Sequence, residues 1–181
     1  MFRFKDLMKQ ATGKQPGDKT GIQLLASILV CYPEIESITY EPEHTEIVME
    51  FIVTGKLDKP ELEEFVKLLD DSLQAYHELD SGRQVWMAAE AECLGSMTTI
   101  HIHRQLVTLT RGELTLIADL FQEKFGERLK CDKHSLEQLE PDFADAQSAA
   151  LDHLLDQNQE YRIREQMIGI RDRDRVVVYN R

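Results

Sequence analysis

Two histidines and two glutamates carry the one spacing in this chain that could do chemistry. Within Val85–Leu106, VWMAAEAECLGSMTTIHIHRQL, the pair Gly95–Ser96 reads as a two-residue hairpin turn. Counting outward from Leu94 opposite Met97 sets Ala91 against Ile100 and Ala89 against Ile102. The same count sets Glu90 against His101 on the other face, where Glu92 and His103 also lie. His-x-His on a strand projects two imidazoles to one side, as a divalent metal such as zinc needs. In that reading His101 and His103 are ligands and Glu90 is a third ligand or a general base. The competing reading is a water-facing sheet surface, where Glu opposite His is an ordinary cross-strand pair. The spacing alone favours the second, because nothing in the sequence supplies an outer set of groups to orient the ligands.

Other motifs carry less. Cys131 and His134 form a C-x2-H pair, but no second pair stands at finger-like spacing. Gly13-Lys-Gln-Pro-Gly17-Asp-Lys-Thr20 resembles a phosphate loop only loosely. Three residues rather than four separate its glycines, and Asp18 intrudes before Lys19. No Gly-x-Ser-x-Gly elbow occurs. The acids Glu137, Glu140, Asp142, Asp145, Asp152 and Asp156 are spaced as the wet face of a helix.

These residues need a frame, and the patterning supplies one. Residues 12–20 read as a linker, preceded by a short arm or helix with Phe4, Leu7 and Met8. Thr20 is expected to cap a helix carrying Ile22, Leu25, Ala26 and Leu29. A hairpin follows, with Ile47, Met49, Phe51 and Val53 alternating with Glu46 and Glu50. Asp58 and Pro60 open a helix whose stripe is Leu62, Phe65, Val66, Leu69 and Leu73. After the second hairpin, a loss of phase beyond Arg104 predicts a bulge near Arg104–Gln105. Gly112 precedes a helix with Leu116, Ile117, Leu120, Phe121 and Phe125, closed by Gly126. An acidic helix from about Pro141 to Asn158, and strands Gln166–Ile170 and Arg175–Tyr179, complete the order. The prediction is an α+β fold, α-ββ-α-ββ-α-α-β. Its largely antiparallel sheet has four to six strands, with helices mainly on one face. Residues 1–17 form an arm and linker, and 18–181 a single domain.

Bulk properties narrow the function. Of 181 residues, 42% are hydrophobic and 30% charged, enough for an ordinary core. The net charge of −12 is uneven. Residues 1–20 hold five Lys/Arg against Asp6 and Asp18, and 160–181 hold six Arg against four acids. The acidic middle repels phosphate backbones, so nucleic acid is a poor partner, RNA contact through the Arg-rich end being the minor alternative. Asp and Glu alternate with those arginines, which points to packing within the chain. No apolar run approaches the length of a membrane span. Three cysteines without a CxxC, and a start lacking a signal segment, predict a cytosolic protein. Cys31 and Cys93 read as packed small hydrophobes. The leading functional expectation is a non-enzymatic protein-interaction or regulatory module, acting on a protein partner or as a homodimer. The alternative is a metal-dependent or small-ligand enzyme built on His101, His103 and Glu90.

Overall fold

A computed structural model describes residues 16–132, 141–157, 163–173 and 175–180. Among the described residues, four helices and six strands follow in the order α1 (Pro16–Cys31), β1 (Ser37–Glu41), β2 (Glu46–Thr54), α2 (Lys59–Ser81), β3 (Met87–Leu94), β4 (Met97–Gln105), α3 (Arg111–Phe125), α4 (Pro141–Gln157), β5 (Met167–Asp172) and β6 (Arg175–Asn180). The strands make one antiparallel sheet in the order β3-β4-β2-β1-β5-β6. The α+β architecture expected from the alternation is therefore present, with its two hairpins joined through β2 and β4.

Local chemistry explains the element boundaries. Asp58 caps α2 by accepting a hydrogen bond from the Glu61 amide at 2.8 Å, and Pro60 stands in the first turn. Gly82, at φ 64°, closes the same helix in the left-handed conformation. Thr110 caps α3, its hydroxyl accepting from the Glu113 amide at 3.2 Å. Gly112 therefore lies inside α3 rather than before it. Helix α1 begins at Pro16, where a fixed φ suits a first turn, so Thr20 is an interior residue and not the expected cap. Residues 16–20 of the expected linker are helical, while the arm at 1–15 lies outside the described residues.

All four helices contribute to one core against a single sheet face. Phe121 of α3 stacks on Phe51 of β2 at 3.8 Å between ring centroids, and Phe65 of α2 meets Phe121 edge-on at 4.8 Å. Leu25 and Leu29 of α1 pack down on Gly169 of β5. A Cβ on Gly169 would lie 2.9 Å from the Leu29 side chain and 3.1 Å from that of Ile38. Helix α4 packs against α1 and α3 and adds Leu151, Leu154 and Leu155 to the same core.

Of the C-terminal arginines, Arg171 packs within the chain, as the alternation with acids implied, while Arg164, Arg173 and Arg175 are exposed. Arg171 donates from Nη2 to the Tyr32 carbonyl at 2.8 Å and to the Leu29 carbonyl. It also donates from Nε to the Ile35 carbonyl at 2.8 Å, and from Nη1 to Asp132 at 3.0 Å. The guanidinium thus satisfies carbonyls at and just beyond the end of α1, the end of a helix that favours a cation. Burial lowers the Arg171 pKa, and Asp132 opposes that shift.

Candidate functional site

The hairpin of β3 and β4 has the register that the two-residue turn dictates. Leu94 pairs with Met97, Ala91 with Ile100, Glu90 with His101 and Ala89 with Ile102. Gly95 takes φ 63° in the first turn position, a conformation that favours glycine. The predicted bulge is absent: β4 runs unbroken to Gln105, and a 3-10 turn at Leu106–Thr108 causes the change of phase.

Strand β2 lies on the other side of β4, with Glu50 opposite His101 and Val48 opposite His103. His101 Nε2 lies 3.1 Å from a Glu50 carboxylate oxygen, and Ser37 Oγ donates to the other oxygen at 3.2 Å. His103 Nδ1 is hydrogen-bonded to Glu46, while its Nε2 lies 4.0 Å from Glu90 and has no hydrogen-bond partner. The sheet therefore brings His101, His103 and Glu90 onto one face, and gives each imidazole a carboxylate from β2 as its closest partner. Sequence counting within one hairpin could not supply Glu46 and Glu50, because the β2–β4 pairing spans the whole of α2. Among the described residues, no three His, Cys, Asp or Glu are grouped as a metal site requires. His134 lies outside the described residues, and Cys131 is exposed.

Directly behind this surface is a charged cluster that sequence reading missed. Arg104 keeps the phase of Ile100 and Ile102, so it points into the core and is 0% exposed. Its guanidinium pairs with Glu113 through Nε and, at 3.0 Å, through Nη2. The second Glu113 oxygen also lies 2.6 Å from His77 Nε2, and both of these residues are buried. Arg104 further donates to the Trp86 carbonyl and, at 3.2 Å, to Thr108. The signal in the sequence was an arginine on the apolar phase of a strand. A second sign was His77, four residues beyond Leu73 in the Phe65–Leu69–Leu73 stripe.

The cluster fixes where β3 begins. Arg104 holds the Trp86 carbonyl. The Gln74 amide of α2 donates to the Val85 carbonyl at 2.7 Å and accepts from the Val85 amide at 3.2 Å. Beyond that anchored start the strand is bare. Its residues from Glu90 to Leu94 are exposed whichever face they point to, including Ala91 and Cys93 on the side where the helices pack. Cys93 is therefore not the packed hydrophobe that alternation implied, since the helices cover Ile100 and Ile102 but stop short of the edge. Burial does apply at Cys31, pushing its thiol pKa up to about 11 against the opposing effect of Arg111.

Three exposed large apolar side chains stand on this hairpin: Leu94 at 55% and Met97 at 44% face each other at the turn, and Trp86 at 48% precedes the other end of β3. The fold and this edge define an α+β sheet protein with one uncovered, acidic and partly apolar margin. No protein-family model, curated protein or solved structure matches the chain. No described helix is long and apolar enough to cross a membrane.

Proposed function

We propose that this chain is a non-enzymatic protein-interaction module that binds another protein through the β3–β4 margin of its sheet. The observation that carries the reading is the exposed cross-strand pair Leu94–Met97 at the tip of a strand whose residues from Glu90 to Leu94 are exposed on both faces, with Trp86 exposed at its other end. Large apolar side chains grouped at the surface mark contact sites, whereas single ones are ordinary. The paired imidazoles support the same reading, because their carboxylate partners make them part of a polar rim.

A benzophenone amino acid in place of Met97 tests this in the intact chain, in cells. Irradiation is expected to give a covalent adduct with a protein chain. The same probe in place of Glu64, exposed on α2, should give none. No adduct at position 97, or equal capture at both positions, ends the reading. The mass of the adduct separates a second copy from a different protein.

A further inference from the structure

We infer that the outer edge of β3 receives an extended segment of a different protein as a seventh strand, with cationic residues at alternate positions. This rests on the protein-interaction reading above and names its partner class.

The sheet has two edge strands, β3 and β6, and among the described residues β3 is the one without an extensive helix contact. Strand β6 packs against α1, whereas the extensive contacts of β3 are with β4 alone. An antiparallel ladder uses every second backbone group of β3, so the alternate N–H and C=O groups face outward. Natural edge strands are usually guarded by lysine, proline or a bulge. The eight residues of β3, MAAEAECL, contain neither lysine nor proline, and the register against β4 is unbroken. An edge of that length, guarded only by the negative charges of Glu90 and Glu92, matches the surface used in strand addition by a segment of opposite charge.

The side chains define what fits. On one face, Glu90 and Glu92 stand two residues apart and both are exposed. Glu46 and Glu50 lie beyond them on the same face, already paired with His103 and His101. A strand added to β3 places alternate residues beside Glu90 and Glu92, and lysine or arginine there meets an opposite charge. On the other face Ala89, Ala91 and Cys93 are small and leave space beside Ile102, Ile100 and Thr98. The intervening residues of the partner are therefore apolar and bulky, of the valine or phenylalanine kind. A second copy offering its own β3 in a register centred near Ala91 would set glutamate against glutamate. The charge pattern thus selects a basic partner over that self-pairing.

The test uses the full chain and a fluorescent heptapeptide alternating lysine and valine. Its dissociation constant is expected on the order of 10–100 μM at low salt. A glutamate–valine peptide should bind at least about tenfold more weakly, and E90K/E92K should reverse that preference. Both substitutions are at exposed positions, and a circular dichroism melt checks the fold of the variant. A third peptide carries N-methyl groups on the amides that would pair with β3. Loss of binding by that peptide supports strand addition, whereas equal binding shows mere charge attraction and overturns the inference. Absence of binding by the lysine–valine peptide at millimolar concentration also overturns it. A protein adduct at position 97 under that outcome would leave the interaction reading standing while removing this partner class.

Discussion

Arg104 and Glu113 form a two-point ion pair although neither side chain has any solvent exposure. One comes from the strand that carries the surface histidines, the other from the first turn of α3. That turn also places the carboxylate near the positive end of the helix. The pair is thus a joint between sheet and helix layer, and the Trp86 carbonyl hangs from it.

Removing one partner should cost more than removing both. Glu113→Leu leaves a buried guanidinium uncompensated, which costs about 3–5 kcal/mol. Adding Arg104→Met to that variant should recover the part of the loss due to the unpaired charge, leaving the cost of His77 and the Trp86 carbonyl without their partners. Urea unfolding followed by far-ultraviolet dichroism measures both. Equal destabilisation by the single and double variants would show that the pair holds the fold through something other than charge balance.

Arg171 makes a second prediction, since its fork is the only shape that reaches three carbonyls and Asp132 together. Arg171→Lys keeps the charge but cannot place donors on Leu29, Tyr32, Ile35 and Asp132 at once. A loss of about 2 kcal/mol is expected, from unpaired carbonyls at and after the end of α1. Hydrogen exchange should quicken in α1 and β5 before it changes in β3 and β4. Uniform quickening would contradict a local capping role.

The contrast between these residues and the hairpin shows what was legible in the chain. Leu94 opposite Met97 was readable because a two-residue turn fixes the register of everything behind it. Asp58, Pro60 and Gly126 were readable because caps and stops act on their own backbone. Arg104 was harder, since its partners lie in α2 and α3 and only its phase betrayed it. The start of α1 at Pro16 was missed because Gly17 and Asp18 imitate a linker. The exposure of Ala91 and Cys93 could not be read at all, since the reach of a helix layer over a sheet edge is not a local property. For the candidate site, the positions of His101, His103 and Glu90 on one face were legible, and the claims of Glu46 and Glu50 on those imidazoles were not.

The cysteines offer a direct check on that edge. Cys93 on β3 and Cys131 are both exposed, but desolvation together with the nearby Glu34 charge pushes the Cys131 thiol up to about 11, as burial does that of Cys31. A raised pKa keeps the thiol protonated, so at pH 8 only about one molecule in a thousand at those two positions is the reactive thiolate. A single fast phase with Ellman's reagent is expected, removed by Cys93→Ser. The slow phase should accelerate about tenfold per pH unit up to the onset of alkaline unfolding. A fast phase surviving Cys93→Ser would mean that another cysteine is freer than its surroundings allow.

The open edge carries a cost that gives the last prediction. A strand with unpaired backbone groups beside Trp86, Leu94 and Met97 can pair with any extended chain, including partly unfolded copies of its own. Placing a lysine at Ala91 puts a charge on the exposed small-residue face, the device by which natural edges are guarded. Ala91→Lys should leave unfolding stability within about 0.5 kcal/mol, because the position is exposed. It should also slow the growth of light scattering on prolonged incubation at 37 °C. The same substitution is expected to weaken capture at position 97, since the lysine crowds the side on which a bulky partner residue would sit. Reduced aggregation without reduced capture would separate the aggregation-prone edge from the binding surface. Reduction of both would assign the two properties to one strand.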